Sequence, residues 1–179
     1  HAWQGRARPK DKPRVAKRTS SGSQRRWYVG DLHLHTPASS DFQEPEASYL
    51  DILHRAEARG LDLIAFTDHN TTAGYRAMQD EIQKLEMLEG LGRLTGDERE
   101  RLAEYRRLRG KILVLPGFEF TATFGFHILA VFPPEKSARE LDHLLLSLRI
   151  PSDQLDIGSS TVGATSDVLT AYRMIHAAG

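Results

Sequence analysis

A short apolar run at residues 61–66 constrains the fold more than any other feature of this sequence. The run is apolar at nearly every position, which is typical of a strand buried on both faces of a parallel sheet. The polar residues Thr67, Asp68 and His69 follow it directly. The run therefore predicts a parallel sheet with polar side chains where one of its strands ends.

Three further segments are predicted strands, at residues 27–35, 111–117 and 126–132. Helical spacing of apolar residues and helix-capping residues predict helices at 49–59, 73–89, 96–109, 138–148 and 167–178. Ser48 is the predicted N-cap of the first helix, Gly60 its C-terminal glycine, and Thr95 with Glu98 a capping box. Strands separated mostly by helices indicate an α/β fold with a mainly parallel sheet.

The first predicted strand carries the densest group of chemically active residues. Because side chains alternate between the two faces of a strand, Asp31, His33 and His35 are expected to share one face. Two imidazoles beside a carboxylate form part of a cage for a divalent metal ion. Asp41, beyond a predicted turn, could bring a further oxygen ligand back to this site. The alternative is two unrelated histidines in a β-hairpin.

Other candidate ligands lie close to the ends of the predicted strands. His69 follows the second strand, Glu119 follows the third, and His127 stands near the start of the fourth. In (β/α) barrels, catalytic side chains gather at strand ends. His127 fits this pattern only if the fourth strand is entered from the other side or carries its ligand early, and both readings stay open.

Composition limits the chemistry that the chain can perform. The sequence has no cysteine, so any metal is held by nitrogen and oxygen, and a reducing cytoplasm is compatible. We therefore expect a cytoplasmic protein. No apolar run approaches the roughly 18 residues that a membrane-spanning helix needs, and no secretory signal is recognisable near the start.

Charge divides the chain into two parts. Residues 1–26 carry nine Lys and Arg residues and one acidic residue, a net charge of +8, and the remainder carries −8. Because the first part has few large apolar side chains, we expect a flexible basic tail. It could be a nucleic-acid arm, since clustered basic residues bind phosphates, or a vector-derived or solvated linker. Residues 27–179 are long enough for one domain.

The motifs in their order resemble those of the PHP family, the polymerase and histidinol phosphatase domains. The similarity rests on residues 31–36 with Asp41, then 66–70, 116–120 and 127–129, and it continues more softly to Gly179. It implies a distorted (β/α)7 TIM-like barrel, of which this chain would supply the N-terminal half. It also implies two or three divalent metal ions as cofactors, either zinc, manganese or iron.

The resemblance assigns six metal ligands by position: His33, His35, Asp41, His69, Glu119 and His127. His33, His35 and Glu119 would hold the first metal and form the catalytic set. Glu119 would bridge to a second metal, which His127 would also bind, and Asp41 and His69 would help to hold the third. Asp31 and Asp68 would accept hydrogen bonds from ligand imidazoles.

The implied activity is phosphoester hydrolysis. Neighbouring metals can polarise a phosphate and activate a water molecule for in-line attack. We expect a nuclease acting on DNA or RNA, with a small-molecule phosphatase of histidinol-phosphatase type as one alternative. The other alternative is a catalytically incomplete metal-binding or docking fragment. Amidohydrolase barrels also open with a His-x-His pair, but they do not need the motifs around His69 and Glu119, so that class is disfavoured.

In the PHP family, three more metal ligands come after the segment that corresponds to the end of this chain at Gly179. The chain also starts at His1 rather than Met. We therefore expect a PHP domain truncated at its C-terminal end within a longer protein. The sequence of residues 125–132 is similar to that of PHP modules fused to ATPase domains. We therefore count an ATPase domain beyond Gly179 among the candidate partners. His54, His143 and His176 fall on predicted helices and are not expected to be ligands.

Overall fold

A computed structural model describes residues 27–162 and 166–179, which form a mixed α/β structure. Its elements are β1 (Gly30–Leu34), α1 (Tyr49–Ala58), β2 (Leu63–Phe66), α2 (Ala73–Gly90), α3 (Gly96–Arg109), β3 (Leu113–Thr121), β4 (His127–Val131), α4 (Ala138–Ser147) and α5 (Val168–Ala177). All five predicted helices are confirmed. The basic tail predicted at residues 1–26 lies outside the described residues.

The four strands form one curled sheet in the order β1-β2-β3-β4. The first three strands are parallel, and β4 runs antiparallel to β3. The mainly parallel sheet predicted from the apolar runs is therefore confirmed, with one reversed strand. The sheet and its helices are compatible with part of an α/β barrel.

One face of the sheet is buried under the helices. Its side chains are those of Ile64, Phe66, Val114, Phe118, Phe120 and Ala130. The first three pack against α1, α2 and α3, whose fully buried residues include Leu53, Met78 and Tyr105. The other three pack against α4 and α5. The core therefore lies between the sheet and a single layer of helices.

The opposite face of the sheet is partly exposed in the part of the chain that the structure describes. Leu113 and Leu129 lie on this face and are 47% and 40% exposed. Glu119 lies on the same face, because it pairs directly with Leu129 across β3 and β4. This face therefore carries the candidate catalytic carboxylate, which is itself buried.

The apolar residues at 27–29 predict that the first strand is buried and begins at Trp27, and this prediction is wrong. The strand begins at Gly30, and Trp27, Tyr28 and Val29 are 90%, 59% and 56% exposed. The physical reason is that residues 27–29 precede an edge strand and no described element buries their side chains. An apolar run has the same appearance in a sequence whether its strand is central or at an edge, but only a central strand has neighbours on both sides.

The third strand is longer than the sequence pattern predicts. Residues 113–116 of β3 pair with β2, and residues 117–121 pair with β4. The second partner extends the strand to Thr121, so Glu119 lies inside β3 and not beyond its end.

The helix boundaries follow local chemistry. Ser48, Thr95 and Ser137 each close a capping box at the start of α1, α3 and α4. Gly60 has a φ of +69° just after α1, a conformation that glycine adopts without strain. Within the described residues, no helix is both long and apolar enough to cross a membrane.

We expect Ser137→Ala to lower the free energy of unfolding by about 1 kcal/mol, because the N-cap hydroxyl that accepts from Glu140 N–H is lost. Ser147→Ala, in the same helix, is the matched control. Its hydroxyl donates only to the His143 carbonyl, so its effect should stay within about 0.5 kcal/mol. Urea denaturation measures the free energy of unfolding of both variants. Equal losses would contradict a stabilising role for Ser137 as the N-cap.

Candidate metal centre

The end of β1 supplies His33 and His35. The register between β1 and β2 shifts between Asp31 and Leu34, and such irregularities redirect side chains. Thr67 fixes the end of β1 to β2: its N–H donates to Leu34 O at 2.9 Å, and its hydroxyl accepts from Leu34 N–H at 3.1 Å. The two histidines are therefore presented from a fixed strand end.

The segment after β2 stays beside β3 and holds His69 next to Glu119. The two residues form an isolated parallel bridge. Glu119 N–H donates to Asp68 O at 2.9 Å, and Asn70 N–H donates to Glu119 O at 2.8 Å. The backbone of Glu119 is thus fixed from the β2 side.

The antiparallel direction of β4 brings His127 to the same place. His127 pairs with Thr121 at the last rung of the β3–β4 ladder. Its Nδ1 atom lies 2.5 Å from Oε1 of Glu119. The question left open by the sequence is answered: β4 is entered from the other side, so its start lies beside the end of β3.

The carboxylate of Glu119 is the centre of the cluster. Its Oε2 atom lies 2.9 Å from Nε2 of His33, 2.9 Å from Nε2 of His35 and 3.2 Å from Nδ1 of His69. Burial raises the pKa of Glu119, but hydrogen bonds with the surrounding imidazoles outweigh burial and lower the pKa to about 2. Glu119 is therefore ionised at neutral pH.

Asp41 closes the other side of the cluster. Its Oδ1 atom lies 3.3 Å from Nδ1 of His35, and its Oδ2 atom lies 3.2 Å from Nε2 of His69. Burial raises the pKa of Asp41, but the hydrogen bond with His69 and the electrostatic interactions with His35 and His69 outweigh burial and hold the pKa below its usual value. Asp41 is therefore a second anionic oxygen donor.

All six predicted ligands meet in three groups, in each of which the donor atoms lie within 4.8 Å of one another. The groups are His33, His35 and Glu119; His35, Asp41 and His69; and His69, Glu119 and His127. Any two groups share one residue, so the donors form one continuous centre. Their role as metal ligands stays a prediction.

The donor set fits divalent metal ions. Each group offers three nitrogen or oxygen donors, as catalytic zinc sites do, and the mixture of imidazole and carboxylate also suits iron and manganese. His69 gives a second indication. Its Nδ1 atom is buried and makes no hydrogen bond within the described residues, although it faces Glu119. A cation between the two would satisfy this nitrogen.

The roles predicted for Asp31 and Asp68 are wrong. In the described part of the chain neither accepts a hydrogen bond from an imidazole, and Asp31 belongs to none of the three groups. Asp31 Oδ1 accepts from His33 N–H at 3.1 Å. Asp68 accepts from the N–H and hydroxyl of Thr36 and from the hydroxyl of Ser39. Thr36 and Ser39, in the loop after β1, therefore donate to both carboxylate oxygens of Asp68 in place of the predicted imidazoles.

Ser39 and Asn70 position the centre, and sequence reasoning gave them no role. The hydroxyl of Ser39 accepts from His69 N–H at 3.1 Å and donates to Asp68 at 2.9 Å. Asn70 is buried with a φ of +52°, and its side chain exchanges hydrogen bonds with Thr121 and donates to Ser159 O. The sequence did contain a signal for Asn70: an asparagine directly after a histidine at a strand end. Asparagine tolerates a left-handed backbone better than most residues, so it suits a tight turn there.

The remaining described histidines lie apart from the centre, as predicted. His54, His143 and His176 are exposed on α1, α4 and α5. None belongs to a metal-type group of the described residues.

Comparison with known proteins gives one similarity of interest. No family model matches the chain. A segment of 56 residues is 39% identical to the 5'-3' exoribonuclease Rnm of Salmonella typhimurium (strain LT2). The segment is 31% of this chain and 18% of the exoribonuclease, so the chain matches less than a fifth of that protein's length.

We expect Gly74→Ala to lower the free energy of unfolding by about 1–3 kcal/mol through overpacking. A Cβ at Gly74 would lie 2.1 Å from Thr36 Oγ1 and 2.3 Å from Asp68 Oδ2, so the loop that presents His35 would have to move. Gly90→Ala, also in α2, meets nothing within 4 Å and should be neutral or stabilising by up to about 1 kcal/mol. Urea denaturation compares the two variants, and a Gly74→Ala protein as stable as the parent would refute this packing.

Proposed function

We propose that this chain is part of a divalent-metal-dependent phosphoesterase of PHP type that hydrolyses nucleic acid, with two or three zinc, manganese or iron ions. The observation that carries the proposal is the meeting of four imidazoles and two carboxylates in three overlapping groups. The similarity to an exoribonuclease supports RNA as the substrate.

Glu119 and the two histidines of the first group have different roles in the proposed centre. Glu119, ionised and held by two backbone hydrogen bonds with the segment after β2, gives the centre a fixed negative charge. His33 and His35 contribute nitrogen donors to the same group. These residues would hold divalent cations, whose Lewis acidity would polarise a phosphate and activate water. Three donors per group leave positions for water and substrate.

The site is open to a polymeric substrate. The side chains of His33 and Asp41 are 55% and 53% exposed, whereas Glu119 and His69 beneath them are 5% and 6% exposed. A phosphate can therefore approach from the side of His33 while the buried residues hold the cations. An open approach suits a nucleic acid chain, which must continue beyond the scissile bond.

We expect the chain, purified after incubation with Mn²⁺ or Zn²⁺, to hold metal that Glu119→Gln and His33→Ala remove. Losing a ligand should weaken metal binding by at least about 100-fold, since changes to groups around the ligands already cost 10–100-fold. Metal content by elemental analysis and circular dichroism measure binding and folding. His143→Ala, an exposed histidine on α4, is the control. A folded parent chain without metal would favour the incomplete fragment.

We expect Mn²⁺-dependent cleavage of a single-stranded 5'-phosphorylated RNA oligonucleotide, with at least about 100-fold loss in the Glu119→Gln variant. p-Nitrophenyl phosphate serves as the small phosphomonoester. Cleavage is followed by gel electrophoresis and phosphomonoester hydrolysis by absorbance. Hydrolysis of the phosphomonoester without cleavage of the RNA would contradict the nuclease assignment and favour a small-molecule phosphatase.

A further inference from the structure

The turn that joins β3 to β4 combines two unfavourable features at one residue. Phe124 has a φ of +66° and a ψ of +14°, a left-handed conformation that is strained for a residue with a Cβ and a ring. Its side chain is also 98% exposed. An isolated exposed apolar residue is ordinary, but an aromatic residue that is both strained and exposed gains nothing from the fold of the described residues.

The backbone around Phe124 is held in place. Ala122 N–H donates to Phe126 O at 2.8 Å, Gly125 N–H donates to Ala122 O at 3.1 Å, and Thr123 N–H donates to Ser166 O at 3.0 Å. Gly125 also has a positive φ, of +76°, so the two residues at the tip of the turn are both left-handed. Glycine and asparagine suit such positions without strain. The ring of Phe124 is therefore carried on a fixed turn.

The turn adjoins the candidate metal centre. His127 is three residues from Phe124, so their Cα atoms are at most about 11 Å apart. Thr121 and His127, the last pair of the ladder, stand between the turn and Glu119. A ring at this distance lies within reach of a nucleotide close to a phosphate at the centre.

We propose that Phe124 is a stacking platform for a base of single-stranded RNA near the phosphate to be cleaved. The inference rests on the proposed function and adds a substrate-positioning residue to it. Aromatic rings bind single-stranded bases by stacking, which tolerates any sequence because every base has a π-face. A ring held on a fixed turn loses little freedom when a base binds, which favours affinity.

The test separates stacking from a structural role, because the two predict opposite effects on stability. Phe124→Asn removes the ring and suits the left-handed backbone, so the Tm should rise by about 2–4 °C. The Kd for a fluorescein-labelled single-stranded oligouridylate, measured by anisotropy with Ca²⁺, should rise by roughly 5- to 150-fold. The Kd for an abasic oligonucleotide of equal length should not change. Phe124→Trp, which keeps an aromatic ring, should bind the oligouridylate with the Kd of the parent chain.

Met87→Asn is the matched control, since Met87 is 59% exposed near the far end of α2 and should leave both Kd values unchanged. A lower Tm for Phe124→Asn, an equal loss on both oligonucleotides, or a change of oligomeric state would overturn the inference. If the parent chain binds and cleaves RNA while Phe124→Asn binds it equally well, this inference alone fails. If the parent chain neither binds nor cleaves RNA, the proposed function fails with it.

Discussion

The buried carboxylate of Glu119 is the group on which the arrangement of the site depends. A buried charge is costly unless it is paired, and here imidazoles from three separate segments surround it. Its backbone is bonded to the segment after β2, and its strand is paired with β4. Charge compensation and strand pairing therefore act on the same residue, which fixes it between the histidines.

The change of pairing partner along β3 makes this possible. Pro116 is the last residue paired with β2, and Gly117 is the first paired with β4. A Cβ at Gly117 would lie 2.4 Å from Ala130 O, so the absence of a side chain permits the close approach of β4. The Pro116 carbonyl accepts from Phe132 N–H. Because β4 then runs antiparallel, a histidine at its start reaches the end of β3.

Departures from local sequence rules are concentrated around this centre. Asp68, His69, Asn70, Thr71 and Thr72 form a continuous buried polar segment. Asn70 and Phe124 have left-handed backbones, as does Arg149 just after α4, whereas α1, α3 and α4 begin with ordinary capping boxes. Proteins place strain and buried polarity where function requires them, and the rest of the fold compensates. The helices bury most of one face of the sheet and so supply the core on which the site rests.

The sequence alone predicted the five helices, and its resemblance to the PHP family singled out the six candidate ligands. Capping and apolar spacing act within a few residues, so the sequence carries them directly. The absence of cysteine limits any ligands to nitrogen and oxygen donors, and the resemblance to the family motifs indicates which of them to consider. Tertiary structure alone decided the exposure of Trp27, the reversed direction of β4 and the partners of Asp68. Each of these depends on which distant strand or loop lies alongside. Contacts between distant segments leave no periodic trace in the sequence, so only the folded chain reveals them.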